Sequence, residues 1–444
     1  MRRLLLALSL GLVLAAPTLA QKTYDRDAGQ WKTATSGGYP YRYVTNDPMK
    51  ARFYTLKNGL TVILSVNKKE PRIFSFMPTR AGSTTDPRTN TGLAHYLEHM
   101  LFKGTDKFGT LNWAKEKPLL DQIDALYEKY NKTTDPEQRK AIYKEIDRVS
   151  GEASKYAIAN EYDKMIAAMG GQNSNAFTSD EVTCYLEDIP ANALDRYITL
   201  QAERFRNPIL RIFHTELEVV YEEKNRSLDS DPNKVNEALM AALFPTHNYG
   251  QQTTIGTVEH LKNPSLVEIR KYFNQYYVPN NMAIIMAGDL NPDEVVKLID
   301  QKFSYWKPKA VRLYNPPAEA PLTKIQTVEV FGPTPDNVRL GYRLPGALDV
   351  KATILATIAD EVMSNSAAGL IDLNLNKQQK ILGGGSGLNG LKDYSVWSLF
   401  GRPKKGQSLE EVKDLLLGQV EKLKKGEWDE KMLTAIVNNY KLNA

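Results

Sequence analysis

His95 and His99 stand four residues apart in the run 91-TGLAHYLEHMLFKGT-105, with Glu98 between them. On a helix, residues i and i+4 lie one above the other on one face, so two imidazoles so spaced can face a single ion. Imidazole suits a borderline cation such as zinc, and a catalytic zinc centre takes three protein ligands and keeps a further position for water. Zinc draws the pKa of that water towards ~7. Glu98, at i+3 from His95, is placed to take the proton and pass it to a leaving amine. The order H-x-x-E-H reverses H-E-x-x-H and serves the same chemistry. These are two of only five histidines, and no third ligand adjoins them in sequence. A closed structural site is disfavoured, because such sites are often cysteine-rich and Cys184 is the only cysteine.

The elements that must position this motif follow from pattern. Gly92 precedes it, Leu93, Leu97, Met100 and Leu101 give it an apolar flank, and Lys103-Gly104-Thr105 ends it. Upstream, residues 52–67 read as a hairpin about Asn58-Gly59, and Ile73 to Arg80 as a further strand. Downstream, apolar residues at helical spacing (Leu119, Ile123, Leu126, Tyr127, Tyr130, then Ile142, Ile146, Val149) predict a helical hairpin over about 117–155, broken at Asp135-Pro136. After Gly170-Gly171, residues 172–189 have strand composition, and helices are expected over Asn192–Phe205 and Glu216–Leu228. Asn281 to Ala287 reads as a buried strand, with a helix starting at Asp293-Glu294.

The proline-rich stretch 309–322 is the best boundary, separating a first domain at 51–308 from a second at 323–444. Past it come β-rich runs (Ile325 to Phe331, Val338 to Leu344) and a helix over Lys351–Met363, which suggests a degenerate tandem repeat. Gly383-Gly384-Gly385 lacks the Gly-Lys-Ser/Thr ending of a phosphate loop and is expected to be a mobile loop. Residues 21–50 show no clear period and read as an extended lead-in.

Composition narrows the partners. The net charge of +5 comes from 57 basic and 52 acidic residues spread along the chain, with no basic block to bind nucleic acid. Met1-Arg2-Arg3, an apolar run from Leu4 to Ala16 and Thr18-Leu19-Ala20 predict a signal peptide over 1–20, cut before Gln21. The mature protein is then expected to be exported, most simply to a periplasm, without a stable membrane span. Cys184, among Val182, Thr183, Tyr185 and Leu186, reads as a small core or strand residue.

At this point the chain resembles a known family. Gly82-Ser83, Gly92 to Thr105, Asn175-Ala176-Phe177-Thr178 and Val278-Pro279-Asn280-Asn281-Met282 are similar to the inverted-zincin peptidases of the pitrilysin type, among them insulin-degrading enzyme and the mitochondrial processing peptidase. The resemblance covers most of Lys50 to Pro308 and continues more faintly beyond. It implies an α/β (α+β) fold of tandem related domains forming half of a clamshell, and one zinc per chain. It also implies hydrolysis of peptides or unfolded segments, with Glu98 as general base.

The family's remaining ligand is a glutamate on a later helix, seven positions after another acidic residue. That implies Glu223 as the third ligand and Glu216 as its outer partner, orienting a ligand by hydrogen bonding. Glu222 is the alternative if the register is off by one, and without the resemblance the cluster 216-ELEVVYEE-223 reads as a solvated face. The gap from His99 to Glu223 exceeds the family's usual one by about a helical hairpin, which the 117–155 segment supplies. Asn175 and Ala176 match the positions where the family holds substrate backbone on an edge strand.

The family closes its zinc half against a second half that brings an arginine and a tyrosine. The comparable loop here, 364–387, holds neither. The resemblance therefore implies the C-terminal half of a longer chain, or a partner subunit. The rival reading is a non-catalytic scaffold or partner subunit of a two-part peptidase, yet such subunits usually lack parts of the motif that is complete here.

Overall fold

The computed structural model describes residues 29–443, so the expected signal peptide lies outside the described residues. In chain order come β1 (Trp31–Ser36), β2 (Tyr39–Val44), β3 (Arg52–Thr55), β4 (Thr61–Val66), β5 (Arg72–Thr79) and α1 (Leu93–Met100). The helical pair α2 (Trp113–Lys132) and α3 (Pro136–Ser154) follows, then α4 (Glu161–Ala168), β6 (Gln172–Thr178), β7 (Thr183–Pro190), α5 (Leu194–Arg204) and α6 (Phe213–Asp229). Next are α7 (Asp231–Leu243), α8 (Asn248–Gln251), α9 (Val258–Lys262), α10 (Leu266–Tyr276), β8 (Ala283–Gly288) and α11 (Pro292–Lys302).

Eight strands form one sheet in the order β1-β2-β3-β4-β8-β5-β7-β6. Only β4 and β8 pair in parallel; every other neighbouring pair is antiparallel. The Asn58-Gly59 turn joins β3 to β4 as its composition demands: Gly59 takes a φ of 86°, and Asn58 Oδ1 accepts from the Leu60 N–H. The segment read as a lead-in is itself a hairpin, β1–β2, closed by Gly37-Gly38, both at positive φ. Residues 172–189 form two strands, because 179–182 turn the chain back so that Thr178 faces Thr183. This leaves β6 at the edge of the sheet, with one row of main-chain groups unpaired by any strand.

Helix α1 packs against α6, α10, β6 and β7. It buries Leu93, Ala94, Tyr96, Leu97 and Met100, so its apolar stripe belongs to the main core. The α2–α3 hairpin buries Leu120, Ile123, Tyr127, Ile142, Ile146 and Val149 in that core, and the Asp135 carboxylate caps α3 by accepting from the Gln138 N–H. Its link to the site is short: Tyr127 Oη lies 2.8 Å from Nδ1 of His214, at the start of α6.

Beyond residue 337 come β9 (Val338–Pro345), α12 (Val350–Met363), β10 (Gly383–Gly390), β11 (Tyr394–Arg402), α13 (Leu409–Lys425) and α14 (Lys431–Asn443). The three strands form a second sheet, β10-β11-β9, all antiparallel. Its order matches β6-β7-β5 in the first sheet, pair for pair. Arg343 ties it to the first sheet's helices by donating to the Leu243 carbonyl.

Two expectations fail here. Residues 325–331 form no strand: Ile325 is 92% and Phe331 82% exposed, and no described strand lies alongside to take up their main-chain hydrogen bonds. A β-rich run needs a partner edge as well as its own composition. Conversely, Gly383-Gly384-Gly385 is ordered as the start of β10. A Cβ on Gly384 would sit 2.8 Å from the Phe400 carbonyl oxygen, and one on Gly385 3.1 Å from the Phe400 ring. The glycines permit close strand approach, so flexibility is the wrong reading of them.

Candidate metal centre

Helix α1 is held at its start by a buried carboxylate. Asp86 Oδ2 accepts from the Gly92 N–H at 2.7 Å and Oδ1 from the Ala94 N–H at 3.0 Å, satisfying donors that a helix N-terminus leaves free. Gly92 itself takes a φ of 90°, and a Cβ there would lie 2.8 Å from the Ile255 carbonyl oxygen. Anchored in this way, α1 turns His95 and His99 to one side, with ring centroids 4.9 Å apart.

Helix α6 meets that side. Glu223 Oε2 lies 3.6 Å from His95 Nε2 and 3.7 Å from His99 Nε2, and these three ligand atoms all fall within 4.8 Å of one another. The separations are too long for hydrogen bonds. They suit three donors on one ion, since tetrahedral ligands at ~2.1 Å stand ~3.4 Å apart. Glu222, the alternative from sequence, is exposed and outside the group. Among the described residues Nδ1 of His95 is buried without a partner, whereas Nδ1 of His99 lies 3.3 Å from Glu216 Oε2. Glu216 in turn takes Lys103 Nζ on its other oxygen at 2.6 Å.

The charges follow from burial and neighbours. Burial pushes the His95 pKa down to about 4, helped by the nearby His99. Burial also opposes charging His99, but the Glu216 hydrogen bond and the carboxylates of Glu223, Glu216 and Glu98 outweigh it and raise that pKa. Burial raises the pKa of Glu98, opposed by a hydrogen bond from Thr178. Glu216 stays below the usual carboxylate range: burial works against this, but hydrogen bonds from His99 and Lys103 prevail. The group is one base-like imidazole, one imidazole backed by a carboxylate, one carboxylate facing both, and Glu98 beside them.

Asn175 and Ala176 sit on β6, at the free edge of the sheet, and α1 packs on that strand. Asn175 is exposed and Ala176 half-buried. Sequence reasoning gives Asp86, Lys103 and Thr178 no role, although Lys103 and Thr178 lie within the runs that carry the resemblance. Lys103 lies three residues past the end of α1, where no helix-face spacing applies, and Asp86 carries no local signal. Cys184 is a buried strand residue, and burial pushes its thiol up to about 12.

Comparison with known proteins gives this arrangement a lineage. Residues 62–144 and 147–257 match the family model described as insulinase (peptidase family M16), and 265–440 the one described as peptidase M16 inactive domain. The chain is 25% identical to the zinc protease PqqE of Helicobacter pylori over 398 residues, 87% of this chain and 78% of that one. It is 24% identical to YmxG of Bacillus subtilis, named an uncharacterized zinc protease, over 59% of this chain and 53% of the relative. It matches 61% of its own length to human insulin-degrading enzyme at 24% identity, only 23% of that protein. It thus spans from about a quarter to about three quarters of these relatives.

The fold is like that of a crystallised protease from Helicobacter pylori, with a TM-score of 0.69 at 24% identity over 89% of this chain and 84% of that one. It is also like the first half of the periplasmic protease PqqL of Escherichia coli, with a TM-score of 0.62 at 16% identity over 89% and 76%. Among the described residues no helix is long and apolar enough to cross a membrane. With matched segments running from 62 to 440 and the sheet order repeated across them, the chain belongs to peptidase family M16, the insulinase family.

Proposed function

We propose that this chain is the zinc-bearing part of an exported metalloendopeptidase that cuts peptides or unfolded segments. The observation that carries the reading is the convergence of His95 Nε2, His99 Nε2 and Glu223 Oε2 at non-hydrogen-bonding distances, with Glu98 on the same helix between the two histidines. One zinc per chain would be held by those three side chains. Bound there, it would supply Lewis acidity, polarising a peptide carbonyl and lowering the pKa of a water.

The protein's own groups do the rest. Glu98 takes the proton of the attacking water and delivers it to the leaving amine. Glu216 accepts from His99 Nδ1, fixing which ring nitrogen faces the ion, and Lys103 keeps Glu216 charged and in place. The free edge of β6 offers main-chain groups to an extended peptide at Asn175 and Ala176, which favours unfolded segments over folded ones.

A similar structure described as the first half of a protease, and the absence of arginine and tyrosine from 364–387, support a two-part enzyme completed by further chain or a partner subunit. The leader-like residues 1–20 and a periplasmic relative support export. The rival reading, a scaffold that has lost chemistry, has no observation in its favour while all four site residues are present.

Metal analysis should give one zinc per chain, lost on His99→Ala or Glu223→Ala. Glu98→Gln should keep the metal and abolish peptide hydrolysis by the assembled enzyme; unchanged turnover would sink the mechanism.

A further inference from the structure

Glu98 has a buried neighbourhood and, among the described residues, a single hydrogen-bond donor. Thr178 Oγ1 donates to Glu98 Oε2 at 2.5 Å. Thr178 is the last residue of β6, two positions after Ala176 and three after Asn175. Its own environment directs that proton. Thr183, directly across the hairpin, spends its hydroxyl hydrogen on the Ala81 carbonyl at 2.9 Å, so towards Thr178 its Oγ1 can only accept, and it lies 3.4 Å away against 2.5 Å for the Glu98 carboxylate. Thr183 is fully buried, so this arrangement cannot rotate freely. Of the two acceptors in reach of the Thr178 hydroxyl, the charged carboxylate at 2.5 Å is the nearer and the stronger.

We propose that Thr178 is a positioning residue that pins Oε2 of Glu98 to the edge strand, leaving Oε1 alone to exchange protons with the attacking water. The consequence is a fixed register between base and substrate: a peptide added to β6 is aligned by the same strand that holds the carboxylate. Without the hydroxyl, Glu98 keeps its helix position but gains side-chain rotamers, and a base that wanders by an ångström loses much of its effect. Threonine suits the place because its β-branched side chain restricts χ1 and so aims the hydroxyl. This inference rests on the reading of Glu98 as the general base.

The test uses Thr178→Val, which keeps the shape and removes the donor, and Thr178→Ser, which keeps the donor. In the assembled enzyme Thr178→Val should lower kcat by ~10–100-fold with KM little changed, while Thr178→Ser stays within ~3-fold of the parent. Zinc content and the affinity of the metal-free protein for a labelled peptide should be unaltered in both variants. A crystal structure of metal-free Thr178→Val should show the Glu98 side chain displaced while α1 stays in place. Three outcomes overturn the proposal: an unchanged kcat in Thr178→Val, an equal loss in Thr178→Ser, or loss of zinc or peptide affinity, which would mean a structural role. Failure of the base reading itself is seen separately, as retained hydrolysis in Glu98→Gln.

Discussion

Replacing Glu216 with alanine should weaken zinc binding without touching a ligand. The carboxylate is 11% exposed, accepts from His99 Nδ1 at 3.3 Å and holds Lys103 Nζ at 2.6 Å. Removing it frees the His99 ring to turn and leaves its Nδ1–H unmatched. Loss of such an outer partner costs ~10–100-fold in metal affinity, or about 1.4–2.8 kcal/mol. A second cost is independent of metal. Lys103, 15% exposed, loses its counter-charge. A fully buried pair broken in this way costs ~3–5 kcal/mol, and access to water should reduce that to about 1–3.

The two costs can be separated. Competition of the protein with a zinc-chelating dye gives the metal affinity, and urea unfolding of the metal-free protein gives the stability. Adding Lys103→Met to Glu216→Ala should recover much of the stability and none of the affinity. If the double variant regains full zinc affinity, the Glu216–His99 contact does not orient a ligand and the reasoning fails.

Three further predictions are independent of that one. In the metal-free protein His95 has a pKa of about 4 against an ordinary 6.5, so the unfolded chain binds the extra proton between those values. Stability from this group therefore rises with pH across that window and is lost as pH falls through it, a contribution on the order of 3 kcal/mol at most. His95→Gln should narrow its stability gap to the parent below pH 6; a constant gap in urea unfolding would contradict this. Tyr127→Phe strips His214 Nδ1 of its 2.8 Å partner and should cost ~1–3 kcal/mol in unfolding free energy, with zinc affinity unchanged. Gly82→Ala places a Cβ 2.3 Å from the Ser179 carbonyl oxygen and 2.6 Å from the Glu181 N, so thermal denaturation should show a loss of at least ~1–3 kcal/mol, and no loss would mean that the β6–β7 turn moves easily.

The legible parts of this protein were those whose signal is local. Helix α1 and its paired histidines follow from spacing alone, as do the Asn58-Gly59 hairpin and the two long helices split at Asp135-Pro136. Glu223 lies on another helix, so no local rule reaches it; only the resemblance implies it, and the docking of α6 on α1 brings its carboxylate to both imidazoles. Lys103, Thr178 and Asp86 were missed because their roles depend on which surface the chain presents after folding. The error at 325–331 has the same root, since strand composition cannot say whether an edge is available. Gly383–Gly385 failed in the other direction: a lack of side chains was read as freedom when it serves close packing against Phe400.

The separation between the two site helices has a consequence for a protein that would destroy polypeptides. His99 and Glu216 are 117 residues apart in sequence and meet only when α6 has docked on α1. A growing or misfolded copy carries the imidazoles and the base, but not the arrangement that would hold a metal between them. Hydrolytic capacity, on the reading proposed above, arrives with the tertiary fold and disappears with it. Unfolded copies would then be substrates in composition and inert as scissors, so the population is protected from its own failures without a separate inhibitor.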